Sequence, residues 1–317
     1  MNRKYQLLLV LIFISLLLFS QSTVRLKKTF VNEFKDKITI ASEYNVWFTH
    51  HTPHSAADDA DIHVAGYDDI VGMPTVAEMM NARDEQGGID LFIQHEGEGN
   101  VNNPRLDVEG VWRLWPEHMG PSGTTFFQGM TLSHATIKLK KTNPDHVFEI
   151  HPVTRVGTLD VTHTIKNIEG YEPKDARDAF NVIRNKQFSI SSTNITISFT
   201  TKSVGQNYID MWIRIDSLWE VDDGAFAFCT VLDSDFDPDN DNIADKKVSS
   251  KTRVAFVKNS ESFNDVIQKN PGDFMHILGT PRISLAILSW REWVSDDRPE
   301  VLTWRMPFEI IAAGNIE

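Results

Sequence analysis

Cysteine is almost missing from this chain. One residue of 317, Cys229, is a cysteine, so no internal disulfide can form and the fold must be held by its core. Phe226, Phe228 and Val231 flank it, the setting of a small buried hydrophobe rather than of an activated nucleophile. Basic charge is also short: 31 Lys and Arg face 44 Asp and Glu, for a net charge of −13. Lys138, Lys140 and Lys141 form the densest basic group, too small for a nucleic-acid-binding stripe. A stably held nucleic acid is therefore disfavoured; a transient one at a metal site stays open. Gly-rich phosphate loops, a Gly-x-Ser-x-Gly elbow, Cys-x-x-Cys and His-Glu-x-x-His are all lacking. Most nucleotide-dependent and zincin-type chemistries lose their support with them. There is no fixed-period repeat and no second long apolar run.

The one long apolar run is residues 7–19, interrupted only by Ser15 and preceded by Arg3 and Lys4. Its length suits a secretory core of ~7–15 residues better than a bilayer span of ~20. Ser20 and Ser22 supply small residues for a cut after Ser22. An uncleaved anchor is the alternative, favoured by Arg25, Lys27 and Lys28 just beyond. Either way the expectation is an exported protein: periplasmic, envelope-anchored or secreted. Membrane contact would run only through residues 1–22.

Strand-like segments dominate the rest. Residues 44–49, 62–66, 91–94, 106–115, 135–139, 147–156, 188–200, 208–219, 225–232, 248–257, 284–290 and 301–310 are rich in β-branched and aromatic residues. Helical signals are confined to 174–185, behind Pro173, and to 260–269, where Ser260 can cap. This pattern predicts a mostly β protein with two β-barrel- or sandwich-like modules and a few short helices. Residues 167–173 are the candidate junction. They separate a β-rich domain at 23–170 from a second at 171–317, with a single continuous β fold as the alternative.

Ten of the eleven histidines lie between His50 and His163. In Asp59-Ala60-Asp61-Ile62-His63-Val64, a strand would place Asp59, Asp61 and His63 on one face. In His146-Val147-Phe148-Glu149-Ile150-His151-Pro152-Val153 it would place Glu149 and His151 together. Two such strands side by side would gather Asp61, His63, Glu149 and His151. Imidazole with carboxylate suits Zn, Mn or Fe, and an open coordination position can polarise an oxygen or activate a water. The same four residues could equally close a purely structural polar network.

The order Asp-x-Asp-Ile-His, a Val-Ala-Glu segment, a Gly-containing strand and Glu-Ile-His-Pro-Val resembles exported bacterial proteins with D-x-D-I/Y-H and E-I/L-H-P-V motifs. That group brings no assigned activity. The likeness covers residues 59–156 and implies one compact first domain with Glu78 added to the site. Such proteins often carry cysteines in this region and often end after the His-Pro motif; this chain does neither. Locally, residues 73–81 read as a helix, with Pro74 in its first turn and Val76, Met79, Met80 and Arg83 on one stripe. The resemblance implies a strand there.

Three further groups stand out. His50, His51 and His54 follow a strand-like run and read as a surface loop. Glu117 and His118, after Trp112 and Trp115, read as a site rim; tryptophans there suit sugar stacking or, more commonly, the core. In the second half, Asp237, Asp239, Asp241 and Asp245 resemble extracellular Asp-rich calcium loops, with an acidic hairpin loop that binds no ion as the other reading. Asn242 in place of the turn Gly and Val248 in place of the bidentate Glu exclude an EF-hand. The leading functional reading is a non-catalytic binding or cell-envelope-associated module. The alternative is a divalent-metal-dependent hydrolase using the Asp61/His63/Glu149/His151 group.

Overall fold

Alternation builds the strands of this protein. Along residues 209–215, Ile209, Met211, Ile213 and Ile215 are fully buried, with less buried residues between them. A computed structural model describes residues 21–130, 141–295 and 302–316. In chain order its first half contains β1 (Ser22–Lys27), α1 (Lys28–Phe34), β2 (Thr39–Thr49), β3 (Ile62–Asp68), β4 (Met73–Met79), α2 (Gln86–Gln94), β5 (Leu106–Leu114), β6 (Thr125–Phe127), β7 (Phe148–Val156) and β8 (Leu159–Asp160). There follow β9 (Lys174–Asp175), α3 (Ala176–Arg184), β10 (Gln187–Ser192), β11 (Thr196–Thr201), β12 (Ile209–Val221), β13 (Gly224–Leu232) and α4 (Ile243–Lys246). The last elements are β14 (Lys247–Val257), α5 (Glu261–Val266), β15 (Phe274–Ile283), α6 (Leu285–Ser295), β16 (Leu302–Arg305) and β17 (Phe308–Asn315).

The strands close two five-stranded barrels. In the first, β4-β3-β2-β5-β7 is sealed by a parallel β4–β7 pair, Val76 opposite Glu149. In the second, β13-β14-β17-β15-β12 is sealed by β12–β13, with β14–β17 as its parallel pair. Numbered along the chain within each barrel, both follow the order 1-2-3-5-4-1 and carry a helix between the third and fourth strands. That is the topology of an OB-type Greek-key barrel. The expectation of a mostly β protein with two barrel modules and few short helices holds. Close packing of β5 on β7 requires Gly110: a Cβ there would lie 2.6 Å from the Pro152 carbonyl oxygen.

A five-stranded open sheet, β16-β10-β11-β1-β6, joins the barrels. It draws β1 and β6 from the first half and the other three strands from the second. Residues 167–173 lie between the barrels, yet strands from both sides of them share this sheet. The barrels also touch directly. Arg282 donates to the carbonyls of Ile38 (3.1 Å) and Trp112 (3.0 Å), and its guanidinium lies 3.6 Å from the Trp112 ring centroid. The Asp223 carboxylate receives the Ile38 and Thr39 N–H groups at 2.7 and 2.8 Å. Cys229 is buried in the core, and that burial pushes its thiol pKa up, away from the reactive thiolate.

Several local expectations need correction. Residues 91–94 and 285–290 are helical, in α2 and α6, because a short apolar run carries no period of its own and its flanks decide. The Glu85 side chain accepts from Gly87 N and starts α2. Within the expected helix at 73–81, residues 73–79 form β4 instead, because seven consecutive pairings with β3 override the local stripe. The run 188–200 is a hairpin of β10 and β11, not one strand. The helix expected at 174–185 is α3, which starts at Ala176 behind β9 and is capped by Asp175, and the Ser260-capped helix ends at Val266. Residues 135–139, and the apolar run within 1–20, lie outside the described residues. Among the described residues no helix is long and apolar enough to cross a membrane.

Candidate metal centre and its cleft

The site begins with register. In the β3–β4 pair His63 stands directly opposite Glu78, and in the β5–β7 pair Arg113 stands opposite Glu149. Ahead of β3, backbone bonds from His50 N to His63 O and from His54 N to Asp61 O lay the β2–β3 loop along the same edge. Strands β3, β4 and β7 are consecutive around the barrel. Their polar residues therefore form one wall at the end where the β2–β3 and β5–β7 loops meet.

The outer part of this wall is carboxylate and imidazole. His63 Nε2 lies 3.5 Å from Asp61 Oδ2 and 3.6 Å from Glu78 Oε1. His54 Nδ1 lies 2.9 Å from Asp61 Oδ1 and 3.2 Å from Asp59 Oδ1. The rings of His50, His54 and His63 pack with centroids 4.6–6.0 Å apart. Asp61 is completely buried, yet neither of its carboxylate oxygens receives an aligned hydrogen bond. Ligands at about 2.1 Å on a tetrahedral ion stand roughly 3.4 Å apart, close to the His63 spacings. Residue groups with donor atoms close enough to hold a metal are His50/His54/His63, His54/Asp59/Asp61, Asp61/His63/Glu78 and Glu78/His146/Glu149.

The inner part is already compensated. Arg113 pairs tightly with Glu149 through one terminal nitrogen and donates from Nε to Pro281 O at 3.0 Å. His146 Nε2 meets Glu149 Oε1 at 3.2 Å. His151 sits between Glu78 Oε2 (2.9 Å), Glu149 Oε2 (3.5 Å) and the Tyr208 hydroxyl (2.7 Å). All of Arg113, His146, Glu149 and His151 are buried.

The electrostatics follow the crowding of carboxylates. Burial alone would lower the pKa of His63, but Glu78, Asp61 and Asp59 outweigh it and push it up to about 10. Burial also works against charge on His151, and Glu78 with Glu149 overcomes it, to about 9. Asp61 is held below the ordinary carboxylate range: burial would raise it, and His54 and His63 prevail. Asp59 is pushed up to about 7 by burial and by its neighbour Asp61. Burial would raise Glu149 too, but Arg113 and His146 hold it well down. The site thus demands positive charge, which bound protons or a divalent cation can supply.

Of the residues expected from the sequence, Asp61 and His63 meet as anticipated, but Glu149 and His151 do not join them side by side. Strand β4 lies between β3 and β7 and contributes Glu78, which faces His63 on one side and His151 on the other. The surface-loop reading of the histidines holds for His51, which is exposed against Glu96. It fails for His50 and His54, which pack on His63. Trp112 and Trp115 are core residues with no exposed ring for a sugar. Glu117 and His118 line a cleft of about 360 Å³ beside the wall, together with Asp59, His63, Arg113, Tyr171, Lys174 and Tyr208. Arg113 and Tyr208 carried no sequence signal; cross-strand pairing and the second half of the chain deliver them. No three carboxylates among the four aspartates of the second half stand at metal-ligand spacing, although the loop links several of them. Asp237 accepts from Asp239 N and Asn240 Nδ2, and Asp241 accepts from Asp237 N and faces Lys246. Compared with family models, curated proteins and solved structures, the chain matches none of them.

Proposed function

We propose that the first barrel is the catalytic module of a divalent-metal-dependent hydrolase, with Asp61, His63 and Glu78 as ligands and His54 beside them. One observation carries this reading: a fully buried carboxylate without an aligned donor, next to an imidazole and a second carboxylate at ligand-to-ligand spacing. Three protein ligands leave a coordination position open, and the 14 % exposed His63 side chain borders the cleft. A bound Zn, Mn or Fe would supply Lewis acidity and a lowered water pKa there. Asp59, beside the ligands on the cleft wall, is placed to exchange a proton there. Glu149 and His151 become supports that orient Glu78.

A second reading is favoured by the fold. OB-type barrels bind ligands on the face of their second and third strands and on the neighbouring loops, which is where this wall lies. A non-catalytic binding module would use the same cleft. Turnover separates the two. Metal-loaded protein is expected to hydrolyse members of a panel of chromogenic carboxyl and phosphoryl esters. Glu78→Gln should lower the rate about a hundredfold or more. Metal bound at full stoichiometry without turnover of any ester would favour the binding module.

We also propose export, directed by residues 1–22. N-terminal sequencing of the protein from cell fractions should begin at Thr23, or at the start of the chain in the membrane fraction if the segment stays as an anchor. Intact chain in the cytosolic fraction alone would contradict it.

A further inference from the structure

We infer that the cleft contains an oxyanion subsite built on Arg113 and Lys174, and that the Glu117 carboxylate occupies it when no ligand is bound. This rests on the cleft being the substrate site proposed above. Its chemistry points to a phosphoryl group.

Arg113 is the key residue. Its side chain is 1 % exposed and belongs to the wall of the cleft. Nε and one terminal nitrogen are committed to Pro281 O and Glu149. The other terminal nitrogen is buried and makes no hydrogen bond. A buried guanidinium normally satisfies its donors, because an unmet one costs on the order of 1–3 kcal/mol. The nearest partner is Glu117 Oε2, at 3.7 Å: close enough to feel the charge, too far for a bond. Burial pushes the Glu117 pKa up, although Arg113 opposes this, so that carboxyl is an uncomfortable occupant of its position.

The remaining lining explains what would replace it. Lys174, exposed and from the second half of the chain, adds a second cation to the cleft. Asn143, Gln206 and Asn207 line the same space, and their amide oxygens are buried without donors. Acceptors of that kind call for hydroxyl or N–H groups on a ligand. One free guanidinium nitrogen, a lysine and an adjacent metal position call for an oxyanion with more charge than a carboxylate. A phosphate ester of a small hydroxylated compound offers both, and 360 Å³ lies at the low end of ligand-pocket sizes. Glu117 then acts as a displaceable stand-in for the phosphate oxygens, so its removal should help binding rather than harm it.

The test is calorimetric titration with inorganic phosphate at constant ionic strength, with acetate as control. It is run on wild type, Glu117→Gln, Lys174→Met and Arg113→Lys, each metal-loaded and desalted or metal-free, with metal content measured on the same samples. Phosphate should bind saturably and acetate should not. Glu117→Gln should tighten phosphate binding about three- to tenfold, Lys174→Met should weaken it by a similar factor, and Arg113→Lys by tenfold or more. Should Arg113→Lys fail to fold, the opposite signs of the other two variants still decide. No phosphate binding to wild type or Glu117→Gln, or binding indifferent to both Glu117 and Lys174, overturns the subsite. Phosphate binding with the expected pattern in samples that never retain metal would uphold the subsite and remove the metal centre instead. Retained metal without phosphate binding would do the reverse.

Discussion

The two barrels share one topology and differ in how they treat buried charge. The second barrel holds Glu309 between two arginines, Arg253 and Arg282, each at 2.7 Å. All three are buried, and the guanidiniums spend further donors on backbone carbonyls of the first half. Positive charge is in surplus there and is satisfied within the protein. The first barrel inverts the balance. Asp59, Asp61, Glu78 and Glu149 crowd one wall, and one arginine answers them. Its inner half resembles the second barrel, with Arg113 on Glu149. Among the described residues its outer half has no arginine or lysine, and its carboxylates are answered by the imidazoles of His54 and His63. A barrel order alone therefore says little about function; a wall where buried carboxylates outnumber arginine and lysine is where a cation is proposed to bind.

The comparison can be broken at either end. The largest effect is expected in the second barrel. Glu309→Ala leaves the buried Arg282 without a counter-charge and Arg253 with only Asp36, at 3.5 Å, and should cost about 3–5 kcal/mol in denaturant unfolding, with metal content unchanged. Next comes the metal itself. Zn²⁺ or Mn²⁺ at about a hundred times its dissociation constant should stabilise wild type by about 2.7 kcal/mol, and Asp61→Asn should not respond. A response that survives Asp61→Asn would place the ion elsewhere.

The smallest effect sharpens the contrast within the first barrel. Asp68, at the opposite end of β3 from the metal group, accepts from Ser42 Oγ and from the Ile70 and Val71 N–H groups, each at 2.8 Å. Burial nevertheless pushes its pKa up to about 6. A folded-state value above the unfolded one means that its contribution is fully present below about pH 4 and is lost as pH rises through about 6. Asp68→Asn keeps one acceptor oxygen and removes this slope. Its stability relative to wild type should therefore rise by about 1–3 kcal/mol between pH 4 and pH 7.5. An unchanged difference across that window would mean that Asp68 is not held in this state.

What was legible in the sequence follows the range of the interaction. Two-residue alternation placed Asp61 and His63 together, and it foretold most strands of both barrels, because a strand face is a local property. Glu78 was ambiguous: its neighbours Val76, Met79 and Met80 fit a helical stripe, and only pairing with β3 settles it as a strand. Residues 274–283 gave no signal as a strand, since Gly279 and Pro281 interrupt the pattern, yet they form β15 between β12 and β17. His50 and His54 looked like loop residues because the turn that brings them onto His63 is made by backbone bonds to the next strand. Arg113 and Tyr208 are the most remote. One reaches the site by standing opposite Glu149, the other by crossing from the second half to His151.

The central claim is that the outer wall of the first barrel is completed by a divalent ion. Its most direct test is elemental analysis by mass spectrometry of protein prepared without a chelating tag, loaded and desalted. Wild type and Glu309→Gln should retain stoichiometric Zn, Mn or Fe, and His63→Ala/Glu78→Gln should retain none while still folded by circular dichroism. Metal-free wild type, or equal metal in the double variant, would contradict the account.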